Sequence, residues 1–161
     1  MKYKYVNELM TTPALYCEEE MTISQVINIF KEHNIGFLPI TKSNILVGVV
    51  TDRDVLIRSF DKFDLSAPIK SIMTDSEIEF ISPNDLLVNA AKVMASKKIR
   101  RLVVTNDGKI VGVLTTKDLI KEESLIGYAI ETYNTNNTLK EYAIYDNSNP
   151  HDSIKVSDYP L

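Results

Sequence analysis

Residues 35–56 have the sequence IGFLPITKSNILVGVVTDRDVL, and residues 99–120 have the sequence IRRLVVTNDGKIVGVLTTKDLI. The two stretches lie 64 positions apart and are identical at eight of 22 aligned positions. Six of the other 14 pairs exchange one apolar residue for another. Because self-similarity at a fixed spacing indicates a supersecondary unit that occurs twice, the chain is expected to contain two similar units.

The repeat extends upstream of these stretches. Each copy carries four apolar residues at the spacing i, i+3, i+4 and i+7 that marks one face of an amphipathic helix. These are Ile23, Val26, Ile27 and Phe30 in the first copy, and Leu87, Ala90, Ala91 and Met94 in the second. Further upstream, Met10-Thr11 matches Met73-Thr74 at a spacing of 63, so one residue has been gained or lost in between. The repeated methionines favour packing roles, and the predicted units are residues 6–60 and 68–122.

Capping signals predict where the first helix of each unit begins. Thr22 and Gln25 have the spacing of a capping box, in which each side chain bonds the other residue's backbone N–H. In the second unit, Ser82 followed by Pro83 predicts a cap and then the first helical position. A short strand is expected before each helix, at residues 15–17 and 78–81.

Each predicted helix is followed by a hairpin and a second amphipathic segment. Two apolar runs flank Ser43-Asn44 in the first unit and Asn106-Asp107-Gly108 in the second, and such turn residues between apolar runs indicate a β-hairpin. Each unit therefore has the order β-α-β-β-α, and the fold class is mixed α/β (α+β). Because units of about 55 residues are marginal alone, the two are expected to pack as a pseudo-twofold pair.

Composition excludes several classes of protein. The 161 residues carry 18 basic and 22 acidic side chains, a net charge of −4, and 44% of them are hydrophobic, which is enough for a buried core. A pI of about 5.2 argues against binding the phosphate backbone of nucleic acids. The single cysteine, Cys17, and the two histidines, His33 and His151, provide neither a disulfide nor a metal cage. Since the sequence has no membrane span or signal peptide, a cytoplasmic protein is expected.

The residues best placed for chemistry lie where each hairpin meets its last helix. Both copies have the pattern Gly-x-x-Thr-x-x-Asp, which places Thr51 with Asp54 and Thr115 with Asp118. One interpretation is structural, because such a threonine caps a helix and an acid in the first turn suits the helix dipole. The other is functional, because a carboxylate that accepts hydrogen bonds from two adjacent hydroxyls is a common ribose contact. The duplication of the corner favours the functional interpretation.

These repeated helices, strands and corners resemble a tandem pair of cystathionine β-synthase (CBS) domains over roughly residues 5–122. The resemblance implies clefts between the two units, a homodimer, and a regulatory ligand such as AMP, ADP, ATP or S-adenosylmethionine. It implies no catalytic residue, no metal and no required cofactor. It also implies that Thr51, Asp54, Thr115 and Asp118 contact the sugar of the ligand.

The phosphates of such a ligand need cations, and the basic cluster that qualifies is Lys97-Lys98-Ile99-Arg100-Arg101. The lysines are expected to be solvated at a helix end, whereas the resemblance implies that Arg100 and Arg101 reach the phosphates. The first unit has Gly36 and Phe37 at the positions of these arginines and supplies no cation. We therefore expect one occupied cleft in each chain, built on either Asp54 or Asp118. For Phe37, a core position is favoured over adenine stacking.

Three further segments carry interpretations. Cys17 is expected to be a buried small hydrophobe in or beside the first strand, and Glu18-Glu19-Glu20 a solvent-exposed loop. Residues 124–161 form an acidic extension that holds five of the eight tyrosines. This extension either packs on its own domain or forms an arm that crosses to a dimer partner or covers a cleft.

The sequence thus supports a non-enzymatic sensor that binds an adenosyl ligand and signals to an unidentified effector protein by changing shape. The alternative is a structural module that binds no ligand and mediates dimerisation, with clefts filled by side chains such as Phe37. A nucleic-acid-binding regulator that uses Arg100 and Arg101 is the weakest hypothesis, because a single basic cluster on an acidic chain makes a poor electrostatic footprint.

Overall fold

The computed structural model describes residues 4–59 and 64–122, so the extension at residues 124–161 lies outside the described residues. The order β-α-β-β-α occurs twice, as predicted. The first unit contains β1 (Cys17–Glu18), α1 (Ile23–His33), β2 (Phe37–Lys42), β3 (Ile45–Thr51) and α2 (Asp52–Arg58). The second contains β4 (Phe80–Ile81), α3 (Leu87–Lys97), β5 (Arg101–Asn106), β6 (Lys109–Thr115) and α4 (Thr116–Ile120). None of the helices in the described ranges is long and apolar enough to cross a membrane.

Each unit has one three-stranded sheet. In the first sheet β1 lies parallel to β2, and β2 pairs antiparallel with β3 so that Leu38 faces Val50. The second sheet repeats this arrangement with β4, β5 and β6, and Leu102 faces Leu114. Both hairpins also carry an irregularity in register at the equivalent place, after Ile40 and after Val104. The repeat read from the sequence therefore extends to the details of strand pairing.

The two hairpin turns have the same backbone conformation but differ in the hydrogen bonds that hold them. Ser43 and Asn44 have φ values of 51° and 65°, and Asp107 and Gly108 have φ values of 49° and 76°. Positive φ at both central residues is the geometry that favours tight hairpins. In the first turn, the Glu18 carboxylate accepts hydrogen bonds from Thr41 Oγ1 at 2.8 Å and from Ser43 N at 3.1 Å. Glu18 is solvent-exposed, as predicted, but the prediction of a loop is wrong for it, because Glu18 lies in β1 and ties that strand to the turn.

The predicted start of α1 is confirmed, and the predicted start of α3 is wrong. Thr22 caps α1, and Gln25 completes the capping box. In the second unit, Ser82 and Asp85 instead form a turn, in which Asp85 Oδ2 accepts a hydrogen bond from Ser82 N at 3.2 Å. Helix α3 begins only at Leu87, whose backbone N–H donates to Lys4 O at 2.9 Å. A backbone partner from the distant N-terminal segment therefore displaces the local cap.

The segment that precedes each unit's first strand packs on the other unit. Val6 belongs to the buried core of the second unit, and Thr11 exchanges two backbone hydrogen bonds with Val113. The linker between the units behaves in the same way, because Ile69 joins the core of the first unit and Thr74 pairs with Val49. The core of each unit is therefore completed by a segment that precedes the other unit's first strand in the sequence.

The repeated methionines lie on the glycines of the opposite unit's hairpin. A Cβ on Gly48 would stand 2.5 Å from Met73 Sδ, and one on Gly112 would stand 2.6 Å from Met10 Sδ. These separations are too short for real contacts, so each glycine leaves the space that a methionine side chain fills. The predicted packing role of the two methionines is confirmed, and their contacts bring the crossing segments against the sheets beside the two corners.

Candidate functional site

In the part of the chain that the structure describes, two clefts lie where the units meet. We call the larger one, of about 450 Å³, the Asp54 cleft, because Thr51 and Asp54 line it. We call the smaller one, of about 310 Å³, the Thr115 cleft, because Thr115 lines it. Both volumes fall in the range of small-molecule sites, roughly 300–1,000 Å³. Each cleft has walls from both units, and three residues line both of them: Phe37, Arg100 and Arg101.

The first corner forms a complete capping box. Asp54 Oδ2 accepts hydrogen bonds from Thr51 Oγ1 at 2.7 Å and from Thr51 N at 2.9 Å, and Asp54 N donates back to Thr51 Oγ1 at 3.1 Å. The second carboxylate oxygen, Asp54 Oδ1, lies 3.5 Å from an Arg58 guanidinium nitrogen. That guanidinium donates to the carbonyl oxygens of Ile72 and Met73, both at 3.0 Å. Asp54 Oδ1 therefore keeps capacity to accept a hydrogen bond in the cleft.

In the second corner the threonine makes the same hydrogen bonds to the carboxylate, but the aspartate lines neither cleft. Asp118 Oδ2 accepts from Thr115 Oγ1 at 2.7 Å and from Thr115 N at 2.9 Å. Its Oδ1 accepts from Lys121 Nζ at 2.8 Å, and Asp118 is only 6% exposed. Thr115, Thr116 and Lys117 line the Thr115 cleft, whereas Asp118 lies behind them. Of the two predicted sugar-binding carboxylates, the structure places Asp54 on a cleft wall and buries Asp118.

Basic side chains converge on the Asp54 cleft from both units. Arg100 and Arg101 come from the start of the second unit's hairpin, and Arg53 and Lys98 also line this cleft. Lys98 is the left-handed residue that ends α3, with a φ of 57°. It was expected to be merely solvated, so its place on the cleft wall was missed. Lys97 does end the helix as predicted, and its hydrogen bond to Glu79 raises the pKa of Lys97 above its ordinary value.

In the first unit an acidic side chain lies beside residue 36, where the second unit has a cation. A Cβ on Gly36 would stand 2.6 Å from Asp52 Oδ2, so the Asp52 carboxylate occupies the space that a side chain would need. The backbone contact is the same in both units, because Asp52 N donates to Gly36 O at 3.2 Å and Thr116 N to Arg100 O at 3.0 Å. The pair Gly36 and Asp52 thus replaces the pair Arg100 and Thr116. Alignment of the two repeats showed that the first unit lacks the cation, but not that the Asp52 carboxylate lies beside that position.

Phe37 and Arg101 meet between the clefts. Arg101 Cζ lies 5.7 Å from the centroid of the Phe37 ring, which is within cation–π distance. Phe37 is half-buried and is absent from the buried core of its unit. The prediction of a core position for Phe37 is therefore wrong, because the ring packs under a guanidinium that comes from the other unit.

The loops before the short strands form walls that sequence reasoning did not assign. Thr74, Glu77, Ile78 and Glu79 line the Asp54 cleft, and Thr11, Pro13, Ala14 and Leu15 line the Thr115 cleft. The loop from Thr74 to Ile81 in the second unit is one residue longer than the equivalent loop from Thr11 to Cys17 in the first. The predicted gain or loss of one residue therefore lies in these loops. Glu77 adopts a left-handed conformation there, with a φ of 53°. The change of spacing from 63 to 64 was the signal that could have drawn attention to these loops.

Other reactive groups are sparse in the part of the chain that the structure describes. Within it, no three histidine, cysteine, aspartate or glutamate side chains are grouped to hold a metal ion. Cys17 is buried at the start of β1, as predicted, and its burial raises the pKa of the thiol to about 11. A protonated, buried thiol is a poor nucleophile.

Comparisons with known proteins agree with this architecture. The family model for the CBS domain matches residues 6–61 and 69–125. CBS domain-containing protein YhcV of Bacillus subtilis (strain 168) is 31% identical over 115 residues, which are 71% of this chain and 81% of that protein.

Solved structures show the same fold. CBS domain protein PAE2072 from Pyrobaculum aerophilum, complexed with AMP, has a TM-score of 0.68 at 28% identity, over 79% of this chain and 98% of that one. The CBS domain pair of protein MJ0100, in complex with 5′-methylthioadenosine and S-adenosyl-L-methionine, has a TM-score of 0.68 at 22% identity, over 76% of this chain and 98% of that one. Two matched regions, two units of the same topology and clefts between them lead to one conclusion: this chain belongs to the CBS domain family and carries two CBS domains in tandem.

Proposed function

We propose that the chain is a regulatory module that binds an adenine nucleotide in the Asp54 cleft and signals to an effector protein by changing shape. The similar protein PAE2072 is complexed with AMP, which supports a ligand of this class. The observation that carries the proposal is that an available carboxylate oxygen and several cations line one cleft. No catalytic role is proposed for any residue.

Asp54 is proposed to bind the ribose. A vicinal diol presents two O–H donors, and an ionised carboxylate accepts them as charge-assisted hydrogen bonds. Asp54 Oδ2 is fixed by Thr51, so the carboxylate cannot rotate without losing two hydrogen bonds. Oδ1 is then the proposed acceptor for the diol, since its ion-pair partner Arg58 stands 3.5 Å away and is held by two backbone carbonyl groups.

The charges of the cleft orient the rest of the ligand. Arg100, Arg101 and Lys98 line it together, and planar guanidinium groups suit bidentate contacts with phosphate oxygens. Glu77 and Glu79 also line the cleft. The Glu77 carboxylate disfavours a phosphate nearby, whereas the Glu79 carboxylate is paired with Lys97 at 2.7 Å. The phosphates are therefore expected on the arginine side, with the base toward Glu77 and Glu79.

Binding at this position can be transmitted because the walls come from both units. Thr51 and Asp54 belong to the first unit, whereas Lys98 and the arginines belong to the second. A ligand shifts a conformational equilibrium by the difference between its affinities for the two states. A nucleotide that contacts both walls favours the relative arrangement in which ribose and phosphate contacts are made together.

We also propose a homodimer through the last helices of the two units. Leu56 on α2 is 73% exposed, and its counterpart Ile120 on α4 is 47% exposed. Apolar side chains repeated at equivalent places on two helices suit a self-complementary, twofold interface. Leu56→Glu should therefore produce a monomer in light scattering, whereas Ile45→Glu, at an exposed isoleucine on β3, should leave the dimer intact. A dimer that survives Leu56→Glu would contradict this interface.

Calorimetric titration with AMP, ADP, ATP, S-adenosylmethionine and NADH tests the proposed function. We expect at least one adenine nucleotide to bind, and at 100 times its dissociation constant to raise the free energy of unfolding by about 2.7 kcal/mol. Thr51→Val should weaken binding, because it frees the carboxylate to rotate, whereas the matched variant Thr115→Val should not. If no ligand binds to the folded protein, the sensor is contradicted and the ligand-free dimerisation module is favoured.

A further inference from the structure

Phe37 and Arg101 form a wall that the two clefts share. Phe37 begins β2 and Arg101 begins β5, 64 positions later, so the pseudo-twofold arrangement brings equivalent positions face to face. At this place one unit supplies a ring and the other a cation, and Arg101 Cζ lies 5.7 Å from the ring centroid. Because both side chains line both clefts, a movement of either one changes the shape of both.

A phosphate and the Phe37 ring compete for the same guanidinium. The ring attracts the cation through its face, which is a modest interaction at a partly exposed site. A phosphate offers two parallel charge-assisted hydrogen bonds, which are stronger and require the guanidinium to align with the phosphate oxygens. A phosphate bound beside Asp54 therefore draws the guanidinium toward that cleft at the expense of the ring contact.

We propose that Phe37 is a positioning residue that acts through Arg101: its ring holds the guanidinium between the clefts until a phosphorylated nucleoside draws it into the Asp54 cleft. This inference rests on the proposed function, and it adds how the site distinguishes a phosphorylated from an uncharged nucleoside. It also gives the Thr115 cleft a part in the response, because that cleft loses a wall when Arg101 moves. The ring contact lowers the affinity for the phosphorylated ligand by the strength of the cation–π interaction.

The affinities of AMP and adenosine for variants of the full chain test this directly. Phe37→Leu should raise the ratio of AMP affinity to adenosine affinity between about 2-fold and 30-fold, the range that cation–π energies span. Arg101→Gln should weaken AMP and not adenosine, and in that background Phe37→Leu should have no effect on the ratio of the two affinities. A ratio that Phe37→Leu leaves unchanged or lowers would overturn the proposal.

A spectroscopic measurement gives a second readout. The chain contains no tryptophan, so Phe37→Trp places a single reporter under the guanidinium. AMP should change its fluorescence more than adenosine does, and Arg101→Gln should abolish that difference. Equal responses to the two ligands in both backgrounds would overturn the inference but leave the proposed function in place. Failure of AMP and adenosine to bind the wild-type chain would contradict the proposed function and this inference together.

Discussion

The two corners of the molecule have the same sequence pattern and the same hydrogen bonds from threonine to carboxylate, yet only one presents its carboxylate to a cleft. Asp54 and Asp118 each accept two hydrogen bonds from the threonine three residues earlier. They differ in what meets the second carboxylate oxygen: Lys121 bonds it at 2.8 Å in one corner, and Arg58 stands 3.5 Å away in the other. We therefore propose that the motif supplies a carboxylate and that the residue one turn later determines whether a ligand can use it.

Because of this difference, the two aspartates are expected to contribute unequally to stability. Asp118→Ala removes a carboxylate that accepts three hydrogen bonds in a buried position and is expected to lower the free energy of unfolding by about 2–3 kcal/mol. Asp54→Ala removes a cap that is partly exposed, with an expected loss of about 1 kcal/mol. Urea denaturation of both variants measures the difference, with the two Asp→Asn variants as controls for side-chain volume. An equal or larger loss at Asp54 would refute the assignment.

The shared framework should respond equally in the two units. A Cβ on Gly48 or on Gly112 would also stand 3.1 Å from a carbonyl oxygen, that of Thr74 or Thr11 respectively. Gly48→Ala and Gly112→Ala are therefore both expected to cost about 1–3 kcal/mol of unfolding free energy, as overpacking does. Denaturation curves that differ by more than about 1 kcal/mol, or no loss in either variant, would show that the crossing segments are not equivalent.

The smallest expected effect concerns Glu18, which supports the hairpin turn of the first unit. The hydrogen bond from Thr41, followed in importance by those from Asn44 and Ser43, lowers the pKa of Glu18 below its ordinary value of 4.5. Because the folded pKa is the lower one, the stabilisation is present above pH 4.5 and is lost as the pH falls through the folded pKa. Glu18→Gln should flatten the dependence of unfolding free energy on pH in this acidic range. The exposed Glu32→Gln serves as the control, and a wild-type pH dependence in Glu18→Gln would exclude this role.

Much of the fold could be predicted because it is encoded locally and written twice. The spacing of Ile23, Val26 and Phe30 and the turn at Asn106-Asp107-Gly108 predict elements that the structure contains. The start of α3 could not be predicted, because Leu87 takes its backbone partner from Lys4, more than 80 residues away along the chain. Local sequence cannot reveal such an exchange between units.

The residue types of the candidate site could be predicted, but the difference between its two corners could not. The two Thr-x-x-Asp corners and the arginine pair were found from the repeat. That Lys121 closes the second corner depends on a side chain turning back across the helix, and that Asp52 fills the space above Gly36 depends on how strand and helix meet. The first is a contact between two side chains and the second lies between a side chain and the backbone, and the repeat pattern carries no information about either.

The most direct test of the central claim is calorimetric titration of AMP into the wild-type chain, Asp54→Asn and Asp118→Asn, each confirmed to be folded by circular dichroism. Both variants remove one negative charge from equivalent positions, so they differ only in which corner they change. We predict that Asp54→Asn weakens binding at least about 10-fold, the effect of losing a hydrogen bond to a charged group, and that Asp118→Asn stays within about 3-fold of the wild type. Loss of binding in Asp118→Asn with wild-type affinity in Asp54→Asn would contradict the account.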